Sequence, residues 1–410
     1  MLTQRQLFLK HNAQTSTTPL LLEFVKAQGV YIYDAEGKAY IDLIAGIGVS
    51  NVGHCHPNVV TAVQKQAETY MHLMVYGEYV QNPQVNFATA LASVLPNNLN
   101  STYFVNSGAE AVEGAMKLAK RYTGRKGFVA CLNSYHGSTQ GAESLMKSTD
   151  GEGYSAGYGP FLPNVDFINH NNLTDLDKIT AETAAVFVEP VQGEAGIRVA
   201  DQTYMEALRA KCTETGALLV FDEIQSGFGR TGKMFAFEHY NIVPDILLLA
   251  KGIGGGMPIG AFISSLEIMS VLSYNPILGH MTTFGGHPVC CAAGLATLTT
   301  LLDEKIVDQV EAKGELFKQL LQNPAITEIR GKGLMLAVGF DSFETNKAII
   351  DACIEDGIIS DWFLHCSDAM RIAPPLTITE EEIKKACNVI LRNIEAVTVE
   401  IKSRKLKVES

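Results

Sequence analysis

The chain has 410 residues, a formal net charge of −12 at pH 7, and 47% hydrophobic residues. That length allows two domains without demanding them, and the apolar share supports a large core. The charge argues against nucleic acid as a partner, no apolar run reaches membrane-spanning length, and the N-terminus lacks a signal-peptide core.

In chain order, residues 20–45 alternate in short β-like pieces, with a turn at Asp34-Ala-Glu-Gly37. Gly53-His54-Cys55-His56-Pro57 has the look of a metal cluster but no second half at zinc spacing, so no metal site is expected. It reads as a turn before a helix over 57–75, with Pro57 in the first helical turn. From about 80 to 300, strands at 128–132, 184–189, 218–222, 245–250 and 260–264 alternate with helices. This predicts a mostly parallel sheet covered by helices. Residues 328–340 read as a strand pair broken by Gly331 and Gly333, followed by helices at about 344–357 and 380–401. The basic tail at 402–407 reads as a solvated helix end. The eight cysteines (Cys55, Cys131, Cys212, Cys290, Cys291, Cys353, Cys366 and Cys387) show no Cys-x-x-Cys spacing, which suits thiols in a reducing cytoplasm.

Three segments carry chemistry. Asn106-Ser107-Gly108-Ala109-Glu110 follows a strand-like stretch and opens a helix whose apolar face is Ala109, Val112, Met116 and Ala119. Asn106 or Ser107 can cap it, and its free N–H groups then face an anion that Gly108 lets come close. A buried strand ending in Asp222 puts a carboxylate where α/β sheets bind ligands, able to pair with a protonated pyridine nitrogen. A second buried strand ends at Lys251 and runs at once into glycines. Burying that amine lowers its pKa and makes it nucleophilic. Taken singly, each segment also fits a plain capped helix, a turn aspartate, or a lysine snorkelling to solvent. The glycines at 252–256 lack dinucleotide-binding spacing.

Together these segments resemble the class III aminotransferases of the ornithine, acetylornithine and 4-aminobutyrate type. Further matching stretches are Gly37-Lys-Ala-Tyr-Ile-Asp42, Gly53-His-Cys-His-Pro57, Tyr135-His-Gly137, Val188-Glu-Pro-Val-Gln-Gly-Glu194, Asp222-Glu-Ile-Gln225, Gly229-Arg-Thr-Gly-Lys233, Thr282-Thr-Phe-Gly-Gly286 and Arg371-Ile-Ala-Pro-Pro375. The resemblance implies an α/β fold of the fold type I pyridoxal phosphate (PLP) class. A large domain on a mostly parallel sheet would be joined by a small α+β domain built from both termini. The expected boundaries are 1–55, 56–305 and 306–410.

The resemblance also implies roles. Lys251 would carry PLP covalently and then act as base and acid of the 1,3-proton shift. Asp222 would hold the ring N–H, Gln225 the ring 3-oxygen, and Tyr135 would stack on the ring. Gly108 and Ala109, with Ser107 beside them, would bind the phosphate. Glu189 is carried over as cofactor-binding. Thr283, with Thr282 next to it, would reach the phosphate from a partner subunit, making a homodimer the working unit. Arg371 would bind the substrate carboxylate, and Glu194 would cover that arginine when an ω-amine enters. The chain departs from the pattern at Ser138, and at Ile47 it is nearer to the acetylornithine and 4-aminobutyrate members than to the ornithine enzymes. Ser138 follows Tyr135-His-Gly137 where an arginine is usual, and Ile47 stands where ornithine enzymes carry a tyrosine. The expected reaction is ping-pong transamination of an ω-amino acid, ornithine- or acetylornithine-like donor, or diamine, with pyruvate or 2-oxoglutarate as acceptor. A glutamate-semialdehyde-type aminomutase and a non-catalytic cofactor-binding regulator are the alternatives.

Overall fold

The computed structural model describes residues 2–75, 77–149, 151 and 153–408, with side chains described up to 401 and at 403. A seven-stranded sheet runs, edge to edge, through Ser101–Val105, Gly260–Ser264, Ile246–Leu249, Leu218–Asp222, Thr183–Val188, Gly127–Cys131 and Val165–Ile168. Gly260–Ser264 is antiparallel to both neighbours, and the remaining pairings are parallel. The strands expected from sequence are present, with ends displaced by one residue at most.

Both faces of this sheet are covered, which is why its strands read as unbroken apolar runs. Alternate residues serve opposite faces. Val220, Ile246 and Leu248 pack with Val112, Met116 and Ala119 of the helix Gly108–Thr123. Leu219, Phe221, Leu247 and Leu249 face Tyr204, Leu208 and Leu298 on the other side. Each such fully buried side chain contributes roughly 1.5–3 kcal/mol by leaving water.

Five strands therefore end at one edge, where the chain continues into Asn106, Tyr135, Glu189, Glu223 and Lys251. Ligands bind at the carboxyl ends of strands in such sheets.

A second sheet of four antiparallel strands runs Glu328–Lys332, Met335–Gly339, Cys366–Ile372 and Trp362–Phe363. Gly331 lies inside the first strand with φ +126° and only Gly333 makes the turn, so one glycine, not two, breaks the expected pair. The third sheet joins the termini. Phe24–Gln28, Tyr31–Asp34 and Ala39–Asp42 form a meander on which Ile358–Ile359 pairs in parallel. Arg230 ties the halves together. It is fully buried and donates to the carbonyls of Leu334 (3.0 Å) and Pro374 (2.5 Å) and to Asn51 Oδ1 (2.6 Å).

The helix after Pro57 ends at Thr69, short of the expected residue 75. Met71, His72, Leu73 and Met74 that follow are exposed, so no burial holds a further turn. His54 bonds Asp42 at 2.8 Å and His56 caps that helix, which gives both histidines work other than metal binding. The final helix, Glu380–Val408, extends past the expected residue 401. Apart from Ser403, the side chains of the basic tail lie outside the described residues.

Candidate active site

Above the strand ends lies a cavity of about 410 Å³. Its wall includes ten of the residues singled out from sequence: Ser107, Gly108, Ala109, Tyr135, Ser138, Glu189, Glu194, Asp222, Gln225 and Lys251. Arg371, Ile47, Thr282 and Thr283 lie off that wall.

Lys251 is the first residue after an extended Ala250 and takes a left-handed φ of +48°. Such a conformation is uncommon for a non-glycine residue and concentrates at functional sites. The amine opens onto the cavity, but the protein around it strips most of its water. That desolvation pushes its pKa below the usual lysine range; Glu194 works the other way and Arg371 reinforces the depression.

Asp222 ends its strand almost fully buried. Its Oδ1 accepts the Ile224 N–H at 3.1 Å and its Oδ2 accepts from His136 Nδ1 at 2.7 Å. His136 has Nε2 buried without a partner. Burial lowers the imidazole pKa, but the bond to Asp222 and its charge outweigh that, and the net shift is upward. His136 was passed over in the sequence, although it sits between the two motif residues Tyr135 and Gly137. Glu189 supports the same loop. Its carboxylate accepts the N–H groups of Tyr135 (3.2 Å) and Gly193 (3.1 Å), and burial pushes it up to about 7 against the pull of His136.

The helix Gly108–Thr123 opens on the cavity. Ser107 caps it by accepting the Glu110 N–H at 3.2 Å, so the N–H groups of Gly108 and Ala109, which have no intrahelical partner, remain for an anion. Gly137, at φ +121°, brings the Tyr135 loop against this helix end. A Cβ there would stand 2.6 Å from the Ala109 Cβ. Tyr135 Oη and Ser138 Oγ share a hydrogen bond of 3.1 Å. Asn106 Nδ2 donates to Thr282 Oγ1 of the same chain at 3.0 Å, and Thr283 beside it is exposed.

Arg371 stands behind Glu194, 2% exposed. Its Nη2 donates to both Glu194 oxygens at 3.1 Å, and its Nε donates to Asp361 at 2.7 Å. The Phe363 ring lies 4.4 Å from the guanidinium carbon. Burial works to raise the Glu194 pKa, but Arg371 outweighs it and holds the carboxylate below its usual range. Glu194 rides on the turn between Val191–Gln192 and Arg198–Val199. Asp361 carried no motif in the sequence; only its pairing across the fold exposes it.

Residues 45–48 form one left-handed turn, closed by Gly48 N to Ile44 O at 3.0 Å. Ile47 sits there at φ +63°, a strained setting for a β-branched residue, and is exposed. Val49, two residues on, reaches the cavity wall instead.

A carboxylate at one strand end, a desolvated lysine at the next and an anion-ready helix on one wall define a PLP-dependent transferase of fold type I. The class-III aminotransferase pattern matches residues 12–394. The chain is 40% identical to an acetylornithine aminotransferase of Methanopyrus kandleri over 386 residues, 93% of this chain and 96% of that one. It is 40% identical to a putrescine aminotransferase of Pectobacterium atrosepticum over 369 residues, 86% of this chain and 77% of that one. Among solved structures, an ornithine aminotransferase from Toxoplasma gondii, described with partial occupancy of PLP at its active site, superposes with a TM-score of 0.90. It is 32% identical, and the match covers 98% of this chain and 96% of that one. The chain belongs to the class-III aminotransferases, and its cofactor is PLP.

Proposed function

We propose that this enzyme moves an amino group from an ω-amino acid, an ornithine- or acetylornithine-like donor, or a diamine, onto a keto acid, with pyruvate competing well against 2-oxoglutarate. The single observation that carries the acceptor preference is the cavity's charge. Among the described residues that line it, Lys251 is the one lysine or arginine, His136 is tied up by Asp222, and Ser138 is hydrogen-bonded to Tyr135 where a second carboxylate would need an arginine. The relatives' acetylornithine, ornithine and putrescine names support the donor classes.

PLP supplies an aldehyde that takes up the amine and a ring that accepts electrons. The protein's part is to hold and to move protons. The Lys251 amine, kept short of water, would hold the cofactor as its nucleophile and would carry the proton at the substrate carbon. Asp222, fixed by His136 and the Ile224 N–H, would hold the cofactor's ring N–H. Gln225 would bond its ring oxygen and Tyr135 would stack on its ring, while Glu189 holds the Tyr135 loop in place. Gly108, Ala109 and Ser107 would bind its phosphate. Thr283, with Thr282 next to it, would reach the phosphate of a second copy, which makes a homodimer the working unit of this reading.

The fit to PLP rests on the donor set: an acid, a depressed amine and open helix N–H groups around one cavity. With Glu194 on Arg371 the pocket accepts an amine end. With Glu194 displaced, Arg371 binds a carboxylate. Two such states suit two separate substrates in a ping-pong cycle and give an aminomutase no use for them. The domain limits 1–55, 56–305 and 306–410 belong to the same reading, supported by the pairing of Ile358–Ile359 on Ala39–Asp42. All eight cysteines are free thiols, which supports a cytoplasmic setting.

The test is the specificity constant for pyruvate against 2-oxoglutarate, in wild type and in Ser138→Arg. A charge-assisted pair contributes roughly 1.5–3 kcal/mol, so the variant should move preference toward 2-oxoglutarate about ten- to hundredfold. A strong wild-type preference for 2-oxoglutarate, unmoved by the substitution, would overturn the proposal.

A further inference from the structure

We infer that Asp361 is the fixed partner of Arg371 and Glu194 the exchangeable one. Asp361 is thus a positioning residue that dictates how a substrate carboxylate meets the guanidinium. The inference rests on the proposed role of Arg371 as carboxylate receptor. The two acidic partners are held in different ways. Asp361 is next to the strand Trp362–Phe363, which pairs with the Arg371 strand. It grips Arg371 twice, since its carbonyl accepts the Arg371 N–H at 2.9 Å and its carboxylate accepts Nε at 2.7 Å. Ser360, one residue earlier, donates to the Arg371 carbonyl at 2.7 Å. Glu194 comes from a hairpin turn on another sheet and meets Arg371 only at the terminal Nη2; its carboxylate also accepts the Leu364 N–H at 3.2 Å, and its backbone carbonyl accepts the His365 N–H at 2.9 Å.

A guanidinium offers a carboxylate two bidentate faces, Nε with Nη2 along its side, or Nη1 with Nη2 at its end. Asp361 occupies Nε, so the side face is closed. Nη1 is buried and has no partner. When Glu194 leaves, the end face is the one that opens. The Phe363 ring keeps the plane from turning. The paired Arg371–Asp361 unit is also close to neutral, so recognition depends on geometry more than on net charge. A donor without a carboxylate never uses this face and should be indifferent to Asp361.

The experiment uses the PLP-loaded enzyme and two variants, with butyrate as an unreactive monocarboxylate probe. In Asp361→Ala, the butyrate dissociation constant, read by thermal shift, and the KM for pyruvate should both rise about tenfold. The single-turnover rate with putrescine should stay within about twofold. Asp361→Asn keeps an acceptor oxygen for Nε and should restore both constants to within about threefold of wild type. Equal damage to both half-reactions, unchanged butyrate binding in the alanine variant, or no rescue by asparagine would each overturn the assignment. If Asp361→Ala does not fold, a crystal of wild type with butyrate decides the matter: the Nε–Asp361 contact should persist while Glu194 is displaced. Departure of Asp361 together with Glu194 would refute it. Should wild type transaminate no amine at all, the proposed reaction fails, whereas butyrate binding still reports on Asp361.

Discussion

The two ends of the cavity are built differently. At the cofactor end, each key group is the last residue of a strand, or within a few residues of it, in one seven-stranded sheet, and contacts between the strand ends of that one sheet hold it. At the carboxylate end, Glu194 and Arg371 are 177 positions apart and come from different sheets. On the proposed reading, the first design fixes chemistry that never varies between substrates, and the second lets one arginine change partners by a swing of the Glu194 side chain alone, since its hairpin is buried and tied to Glu189 through the Gly193 N–H. Substitutions at the cofactor end should therefore abolish or slow both half-reactions together, and those at the carboxylate end should separate them.

The largest effect is expected from Lys251→Ala. The folded protein should still hold PLP noncovalently yet show no turnover, because nucleophile and proton carrier are lost together. Borohydride should fix the cofactor to the Lys251 peptide in wild type. Labelling of another lysine, or near-normal turnover in the variant, would move the chemistry elsewhere.

Next comes Asp222→Asn, which keeps the hydrogen-bonding shape but not the charge that holds the ring nitrogen protonated. Loss of a few kcal/mol in the transition state is on the order of 10²–10⁴ in kcat. Both half-reactions should fall alike. A loss confined to one of them would erase the contrast between the two ends.

A smaller effect concerns pH and stability at the cofactor end. Burial raises Glu189 from 4.5 to about 7 and Glu223 from 4.5 to about 8. Between pH 4.5 and those values the folded protein holds protons that the unfolded chain releases. Their contribution is full below pH 4.5 and is lost as pH rises through 7 to 8. These two groups work to lower the melting temperature from pH 6 to pH 9, against the depressed His170, His239, His280 and Lys251. Glu223→Gln should melt lower at pH 6, since Glu223 accepts the N–H groups of Ala236 and Phe237 at 2.5 and 2.7 Å and an amide can accept only one of them well. It should nonetheless remove the downward pull of Glu223 on the slope. An unchanged slope would mean that Glu223 is already ionised at pH 6.

The same contrast governs what the sequence discloses. Lys251, Asp222 and the Ser107–Gly108 cap are legible because strand, turn and helix are local patterns, and a polar residue closing an apolar run stands out. The order of strands is not local, nor is the antiparallel direction of Gly260–Ser264. His136 was hidden because only the fold brings it to Asp222. Asp361 was hidden more deeply still: its partner is ten positions away, across an irregular strand pair with no spacing rule. Val49, rather than Ile47, reaches the cavity because four consecutive left-handed residues redirect the chain, a feature that the glycines at 46 and 48 permit but do not announce.

The most direct test follows the cofactor's absorbance through both halves of the cycle in wild-type enzyme. A diamine or ω-amino acid alone should convert the bound aldehyde form to the amine form within one turnover, with release of the oxidised donor. Pyruvate added afterwards should restore the original band, at a specificity constant comparable to that of 2-oxoglutarate. A band that no amine shifts, or one that 2-oxoglutarate restores and pyruvate does not, would contradict the account.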